Sequence, residues 1–329
     1  MTQTIPAPPL PPGHGELDRL AEITGRLAAT INGVIVGKPE VVTTAITVLL
    51  AEGHLLVEDV PGVGKTMLAK TLARSVDCTM RRVQFTPDLL PSDITGVSIF
   101  NPDHRAFEFR AGAVFANVVV GDEINRASPK AQSALLEAME ERQVTVDGQT
   151  YALPEPFIIM ATQNPIEMEG TYPLPEAQRD RFMARVSVGY PSPESEVAML
   201  DHHGAVSPLE TVQPVTDAEG VRSMIATVRR VYAAPAVRQY VVDLAGASRR
   251  DPAIRLGASP RAALHLLRAA RARAALLGRD HVLPDDVQAL IGPVLTHRIL
   301  LSGEGQIERL TPAAAVGRLL TTVRVPAQR

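Results

Sequence analysis

The 329-residue sequence has no tryptophan and one cysteine, Cys78. A lone cysteine excludes an intrachain disulfide and a cysteine metal cluster, and it fits a reducing compartment such as the cytoplasm. Cys78 itself is expected to be a small buried apolar residue. Lysine is almost as scarce, occurring only as Lys38, Lys65, Lys70 and Lys130, so a lysine inside a motif carries extra weight. Neither charge dominates: 33 basic residues face 36 acidic ones, a formal net charge of -3. No global field therefore draws the chain to nucleic acid or to an anionic membrane. No run of about 18 apolar residues occurs, which excludes a transmembrane helix, and no repeat of about 20 to 50 residues argues for a solenoid. His202-His203 point to different faces and have no acidic or cysteine partner at ligand spacing, so they are expected in a surface loop rather than at a metal.

What is present is the makeup of a globular protein, 45% hydrophobic and 21% charged, with a length that suits two domains. Residues 1–15 are rich in proline and lack the basic and apolar regions of a secretory signal, so a disordered tail is expected there. Residues 16–190 read as an α/β core. Leu17, Leu20, Ile23 and Leu27 keep helical spacing, and Pro39 opens a second helix. Strands are expected at His54–Glu58, Arg82–Phe85, Val118–Val120 and Phe157–Met160, with Arg82–Phe85 and Val118–Val120 placed centrally. Their alternation with helices, one of them opened by Ser128-Pro129, argues a parallel sheet covered on both faces. Two hairpins interrupt this plan, Val97–Phe100 against Ala106–Phe109 and Val144–Val146 against Gln149–Ala152, the second turning at Asp147-Gly148. After Tyr190-Pro191 helical signals take over, and residues 191–329 read as a helical lid. A capping box is expected at Thr216 with Glu219, and helices are expected from Ser259-Pro260 and Thr311-Pro312.

Between the first strand and its helix stands Pro61-Gly62-Val63-Gly64-Lys65-Thr66-Met67. A triphosphate needs amide donors at close range, hence glycines, followed by a helix N-terminus facing the anion. Lys65 is placed to reach the β- and γ-phosphates of ATP and Thr66 to put its hydroxyl on Mg²⁺. The strict pattern lacks its first glycine, which is Asp59 here. A second motif, Val118-Val119-Val120-Gly121-Asp122-Glu123, delivers two carboxylates at a strand end. Asp122 would hold the magnesium through its water shell and Glu123 would polarise the attacking water. Gly121 replaces the apolar residue more usual before the acid pair. Asn164, at the end of the next strand, is the candidate sensor of the γ-phosphate.

Together these elements resemble the AAA+ ATPases, and the text around them is similar to the MoxR family. The resemblance runs through Val83–Gly96, Asp122–Ala127, Gln132–Met139, Ala161–Pro165, Gly170–Gln178 and Asp180–Phe182, and covers about residues 30 to 325. It implies a ring, usually a hexamer, with ATP between neighbouring subunits and the hairpins projecting from the core. Arg181 then matches the finger that reaches the neighbour's γ-phosphate, with Arg179 and Arg126 as further participants. Arg261, at the start of a lid helix, matches a second sensor that touches phosphate in its own subunit, and Val36-Gly37 match the adenine contact. The function implied is ATP-driven remodelling of a protein client, in complex maturation or metal-cofactor insertion, often with a von Willebrand factor A domain partner. Two other readings keep the same engine: a nucleic-acid motor using Arg105 and Arg110 of the first hairpin, and a nucleotide-binding scaffold with little turnover.

Overall fold

The computed structural model describes residues 10–59, 64–164, 172, 174–190, 192–194, 196–197 and 208–326. Residues 1–9, which make up most of the expected tail, and His202-His203 lie outside them. Helix α1, His14–Asn32, takes in the last two residues of the expected tail and buries Leu17, Leu20, Leu27 and Ile31 along one face. Helix α2, Pro39–Leu50, carries its proline in the first turn.

A five-stranded parallel sheet follows, made of β1 (Leu55–Glu58), β2 (Met80–Gln84), β5 (Val118–Asp122), β8 (Ile158–Gln163) and β9 (Ala184–Val186) in the order β2-β5-β8-β1-β9. Val118–Val120 is internal as expected, whereas β2 is an edge strand. Its pattern explains the difference, since of Met80–Gln84 only Val83 is buried. Side chains alternate along each internal strand with a period of two. Leu55, Val57, Val118, Val120, Ile158 and Met160 enter one apolar cluster, and Leu56, Val119, Ile159 and Ala161 enter the other. Each such aliphatic side chain contributes about 1.5–3 kcal/mol on full burial, so an α/β sheet covered on both faces is the stable solution for these strands.

Helix α3, Lys65–Ser75, packs on the first face and α5, Pro129–Glu141, on the second. Ser128 caps α5 by accepting the amide of Ala131 at 3.4 Å. The short helix α4, Pro91–Thr95, leads into the hairpin β3–β4 (Gly96–Asn101 with Ala106–Ala111), and β6–β7 (Gln143–Val146 with Gln149–Ala152) turns at Asp147-Gly148. The hairpins meet where Phe109 stacks on Tyr151 at 3.9 Å between ring centroids. A further short helix, α6, spans Glu176–Arg179.

Four long helices build the C-terminal part: α7 (Ala218–Arg230), α8 (Pro235–Arg250), α9 (Pro260–Leu276) and α10 (Pro284–Leu295), with a terminal helix Pro312–Thr322. Helix α7 is capped by Asp217, which accepts the Gly220 amide at 2.8 Å; the expected box at Thr216 does not form, because Glu219 pairs with Arg222 instead. A small ribbon, Ile254–Leu256 with Leu300–Leu301, interrupts the helices. The first apolar cluster runs without a break from α1 and α2 into α7–α10, so the lid shares its core with the ATPase-like part.

Three histidines lie between the sheet and the lid, His54 and His297 buried and His265 half-buried. His54 receives the Ile159 amide on Nδ1 at 3.0 Å, which leaves Nε2 to donate to the Met139 carbonyl at 3.1 Å and fixes a neutral ring. Burial pushes its pKa down to about 4, burial chiefly pushes His265 to about 2, and burial depresses His297 strongly. A depressed folded pKa gives stability that is complete above the unfolded value near 6.5 and is lost as pH falls. Each histidine can contribute a slope of about 1.4 kcal/mol per pH unit. The urea midpoint is therefore expected to fall between pH 6.5 and 4 and to fall less steeply in His54→Gln; a flat midpoint across that window contradicts the assignment.

Candidate nucleotide site

The site residues gather at the carboxyl ends of the parallel strands, the edge where open α/β sheets hold ligands. Gly64 ends the described part of the phosphate loop with φ +89°, a left-handed conformation open to glycine, and starts α3. Pro61, Gly62 and Val63 lie outside the described residues. Lys65 follows and donates from Nζ to the Asp59 carbonyl at 2.6 Å. Thr66 Oγ1 lies 3.2 and 3.3 Å from the two carboxylate oxygens of Asp122 on β5. Met67 is the next residue of α3 and is half-buried.

Asp122 is 5% exposed and is surrounded by donors. Besides Thr66 it accepts from Thr162 Oγ1 on β8 at 3.3 Å and from Arg82 Nε on β2 at 2.5 Å. Glu123 has φ 57° and ψ 51°, so the chain turns sharply away from β5 and its side chain leaves the strand line. Its amide donates to Thr162 Oγ1 at 3.0 Å. Its carboxylate accepts from Gln84 Nε2 at 3.0 Å and Arg126 at 3.1 Å. Asn164 is buried at the end of β8, and its carbonyl faces Asn125 Nδ2 at 3.5 Å. Sequence reasoning missed Arg82, Gln84 and Thr162. The signal for the first two was the alternation of β2, which puts residues 82 and 84 on one side in register with Val120 and Asp122.

Both departures from the usual motifs have a physical reason. A Cβ on Gly121 would lie 2.9 Å from the buried ring of Phe85, which fills the space an apolar side chain takes elsewhere. Asp59 is 8% exposed, and its carboxylate accepts the Ser187 hydroxyl at 2.9 Å and the Gly189 amide. It ties the start of the phosphate loop to the chain leaving β9. Lys38, next to Gly37 (φ +76°), holds the same chain by donating to the Tyr190 carbonyl at 2.9 Å. Asp59→Gly restores the strict pattern but orphans both donors, and is expected to cost about 1–3 kcal/mol. Chemical denaturation measures this, and an unchanged midpoint would show that Asp59 does not fasten the loop.

The arginines are distributed differently from expectation. Arg126 sits beside Glu123 at the phosphate edge, not with Arg181. Arg181 and Arg261 converge on one carboxylate: Arg181 Nε lies 3.1 Å from Glu140 Oε2, and Arg261 pairs with Glu140 Oε1. These three residues line a 210 Å³ cavity with Gly53 and His54, just before β1 begins. The phosphate loop follows the other end of β1. Four residues of strand, about 13 Å, separate the two edges, so Arg261 lies about a strand length from the phosphate loop of its own subunit. Helix α9 is capped by Ser259, whose hydroxyl also donates to the Asp180 carboxylate ahead of β9. Arg179 ends α6 near this edge, and its Nε is buried without a partner.

A hydroxyl next to a buried carboxylate is an oxygen donor set of the kind a hard cation such as Mg²⁺ prefers, and an ammonium at the start of α3 suits phosphate. The residues present thus fit ATP with magnesium. Among the described residues no group of three or more His, Cys, Asp or Glu side chains is placed to hold another metal, and no helix is long and apolar enough to cross a membrane.

Comparison with known proteins agrees with this geometry. Residues 54–184 match the family described as ATPase family associated with various cellular activities, and residues 246–318 match an AAA lid domain. Chaperone MoxR1 of Mycobacterium tuberculosis is 42% identical over 98% of this chain and 87% of its own length. The chain belongs to the MoxR family of AAA+ ATPases. Protein MoxR of Paracoccus denitrificans is 36% identical over 91% of this chain and 95% of its own. YeaC of Bacillus subtilis, a protein of uncharacterised function, is 48% identical over 94% and 97%. A crystal structure of a protein assigned as an ATPase from Cytophaga hutchinsonii superposes with a TM-score of 0.86 at 36% identity, covering 95% of this chain and 98% of that one.

Proposed function

We propose that this MoxR-family protein hydrolyses ATP with Mg²⁺ in a ring, and uses the cycle to remodel a protein client as a cytoplasmic chaperone. The observation that carries the reading is the meeting of Lys65, Thr66, Asp122 and Glu123 at one sheet edge. Lys65 and the α3 N-terminus bind the β- and γ-phosphates. Thr66 and Asp122 hold the cation, which when bound neutralises phosphate charge. Glu123 orients water and takes its proton, and Asn164 reads the γ-phosphate from β8. Val36 and Gly37 flank the base.

Arg181 and Arg261 lie at the opposite edge of the sheet, too far to serve this site, and both already grip a carboxylate. A neighbour's γ-phosphate is the anion that would replace Glu140 in a ring, which makes hexamer assembly part of the mechanism. Residues 16–190 act as the motor and 191–329 as the lid. The hairpins supply the client surface: Phe107 is 73% exposed and Phe100 50% exposed at the end of β3–β4. A partner with a von Willebrand factor A domain remains the proposed client, and the name of the M. tuberculosis relative supports the chaperone role.

Phosphate release by the assembled protein tests the reading. Turnover is expected with Mg²⁺ and its loss with EDTA; a ring that binds ATP but releases no phosphate would leave only the scaffold reading. Salt-sensitive stimulation by DNA or RNA would transfer the client role to nucleic acid, recognised through the exposed Arg105 and Arg110.

A further inference from the structure

Arg298 has a buried guanidinium, its side chain 2% exposed, in the short turn Thr296–Arg298 after α10. Such a group is costly to bury unless each donor finds an acceptor. Here the acceptors come from one short segment of the core. Arg298 Nε donates to the Asp180 carboxylate at 2.8 Å, and its terminal nitrogens donate to the carbonyls of Asp180 at 2.9 Å, Phe182 at 2.6 Å and Met183 at 3.1 Å. The Val294 carbonyl and His265 Nδ1, the latter at 2.8 Å, complete the set within the lid. The Asp180 carboxylate also accepts Ser259 Oγ at 2.8 and 2.9 Å, and Ser259 caps the helix that begins with Pro260 and Arg261. Arg181 therefore has its backbone fastened on both sides by one lid side chain, while its own side chain stays 29% exposed.

We propose that Arg298, acting through Asp180, is a positioning residue for Arg181: the lid sets the aim of the arginine that one subunit presents to the next. The proposal rests on the reading of Arg181 as a trans-acting group. The physical argument is geometric. A planar fork that engages a carboxylate and three carbonyls fixes the direction of the peptide chain, which a point charge cannot do. Through Ser259, the same carboxylate sets the start of α9, so Arg181 and Arg261 keep their spacing around Glu140 only while the lid is docked. A lid shift of a fraction of a turn in the 296–298 segment would move Arg181 without touching the phosphate loop of its own subunit.

The test uses Arg298→Lys in the full-length protein with Arg181→Ala beside it. A misplacement of about 1 Å costs about 10²-fold in rate. We expect a kcat drop of that order in Arg298→Lys, an ATP KM changed by less than about 3-fold, and no additional loss when Arg298→Lys is added to Arg181→Ala. Mixed rings separate the outcomes. A subunit with a misaimed Arg181 retains its own Glu123, so mixing Arg298→Lys with Glu123→Gln subunits restores activity, as mixing Arg181→Ala with Glu123→Gln does. Recovery in the Arg181→Ala mixture alone overturns the positioning role of Arg298. Recovery in neither mixture overturns the trans reading of Arg181 itself. Should Arg298→Lys not fold, Ser259→Ala removes only the hydroxyl at Asp180 and is expected to show the same pattern with a smaller loss; wild-type kcat in that variant overturns the proposal.

Discussion

Replacing Glu123 by glutamine is expected to lower phosphate release by about 10²- to 10⁴-fold, the range that general base catalysis supplies, while ATP still binds. The expectation follows from what Glu123 touches. Its backbone sits in the left-handed region directly after β5, with its amide held by Thr162, so the side chain is aimed by the strand and not by chance rotation. Its carboxylate accepts from Gln84 on β2 and Arg126. An amide of the same shape can fill that position but cannot take a proton from water. Glutamine keeps the size of Glu123 and its backbone bond to Thr162, and leaves the Lys65 bond to the Asp59 carbonyl and the Thr66 bond to Asp122 in place, so nucleotide affinity should change little. Equilibrium binding of a labelled nucleotide beside single-turnover hydrolysis checks both halves. Turnover close to that of the parent protein would move the base to another residue.

The same variant has a second use. A ring that binds ATP without hydrolysing it stays in the state in which subunits are joined, so clients recovered with Glu123→Gln and absent from Lys65→Ala identify the partner. The contrast between the two variants matters more than either one alone. Lys65→Ala removes the cation proposed to meet phosphate, and with it the state that would hold a client.

Why much of this could be read from the sequence is visible in its locality. Lys65 and Thr66 are adjacent, Asp122 and Glu123 are adjacent, and each pair ends or follows an apolar strand whose period of two is written in consecutive residues. The fold class follows from the same alternation. What escaped was set by partners distant in the chain. Arg82 and Gln84 look like the polar face of an ordinary strand until β2 pairs with β5 and places them next to Asp122 and Glu123, about 40 residues away. The edge strand β9 is three residues long and has no pattern of its own. Arg298 reads as a surface residue in Thr-His-Arg, because nothing local announces that four carbonyls and a carboxylate will close round it. The position of Arg261 depended on where the lid docks. That is fixed by the apolar cluster shared between α1, α2 and α7–α10, not by the Ser-Pro-Arg text around it.

Arg181→Ala is expected to lower kcat by about 10³- to 10⁵-fold, the range of a trans-acting arginine, with little change in ATP affinity. An arginine that gripped the phosphates of its own subunit's ATP would weaken both. The distinction follows from position: Arg181 lies before β9, at the end of the sheet where β1 begins, and its partner there is Glu140 on α5. ATP bound at the carboxyl edge of the same sheet is a strand length away. Arg181→Lys should recover little, since a lysine restores the charge but not the planar fork that can grip two oxygens of a phosphoryl group in flight. Glu140→Gln provides the opposite control. It removes the anion that both Arg181 and Arg261 now hold, so it should leave ATP binding unchanged and free the pair for a neighbour's phosphate. A loss of ATP affinity in Arg181→Ala equal to its loss of rate would place that arginine in its own subunit's site, against the separation of the two sheet edges.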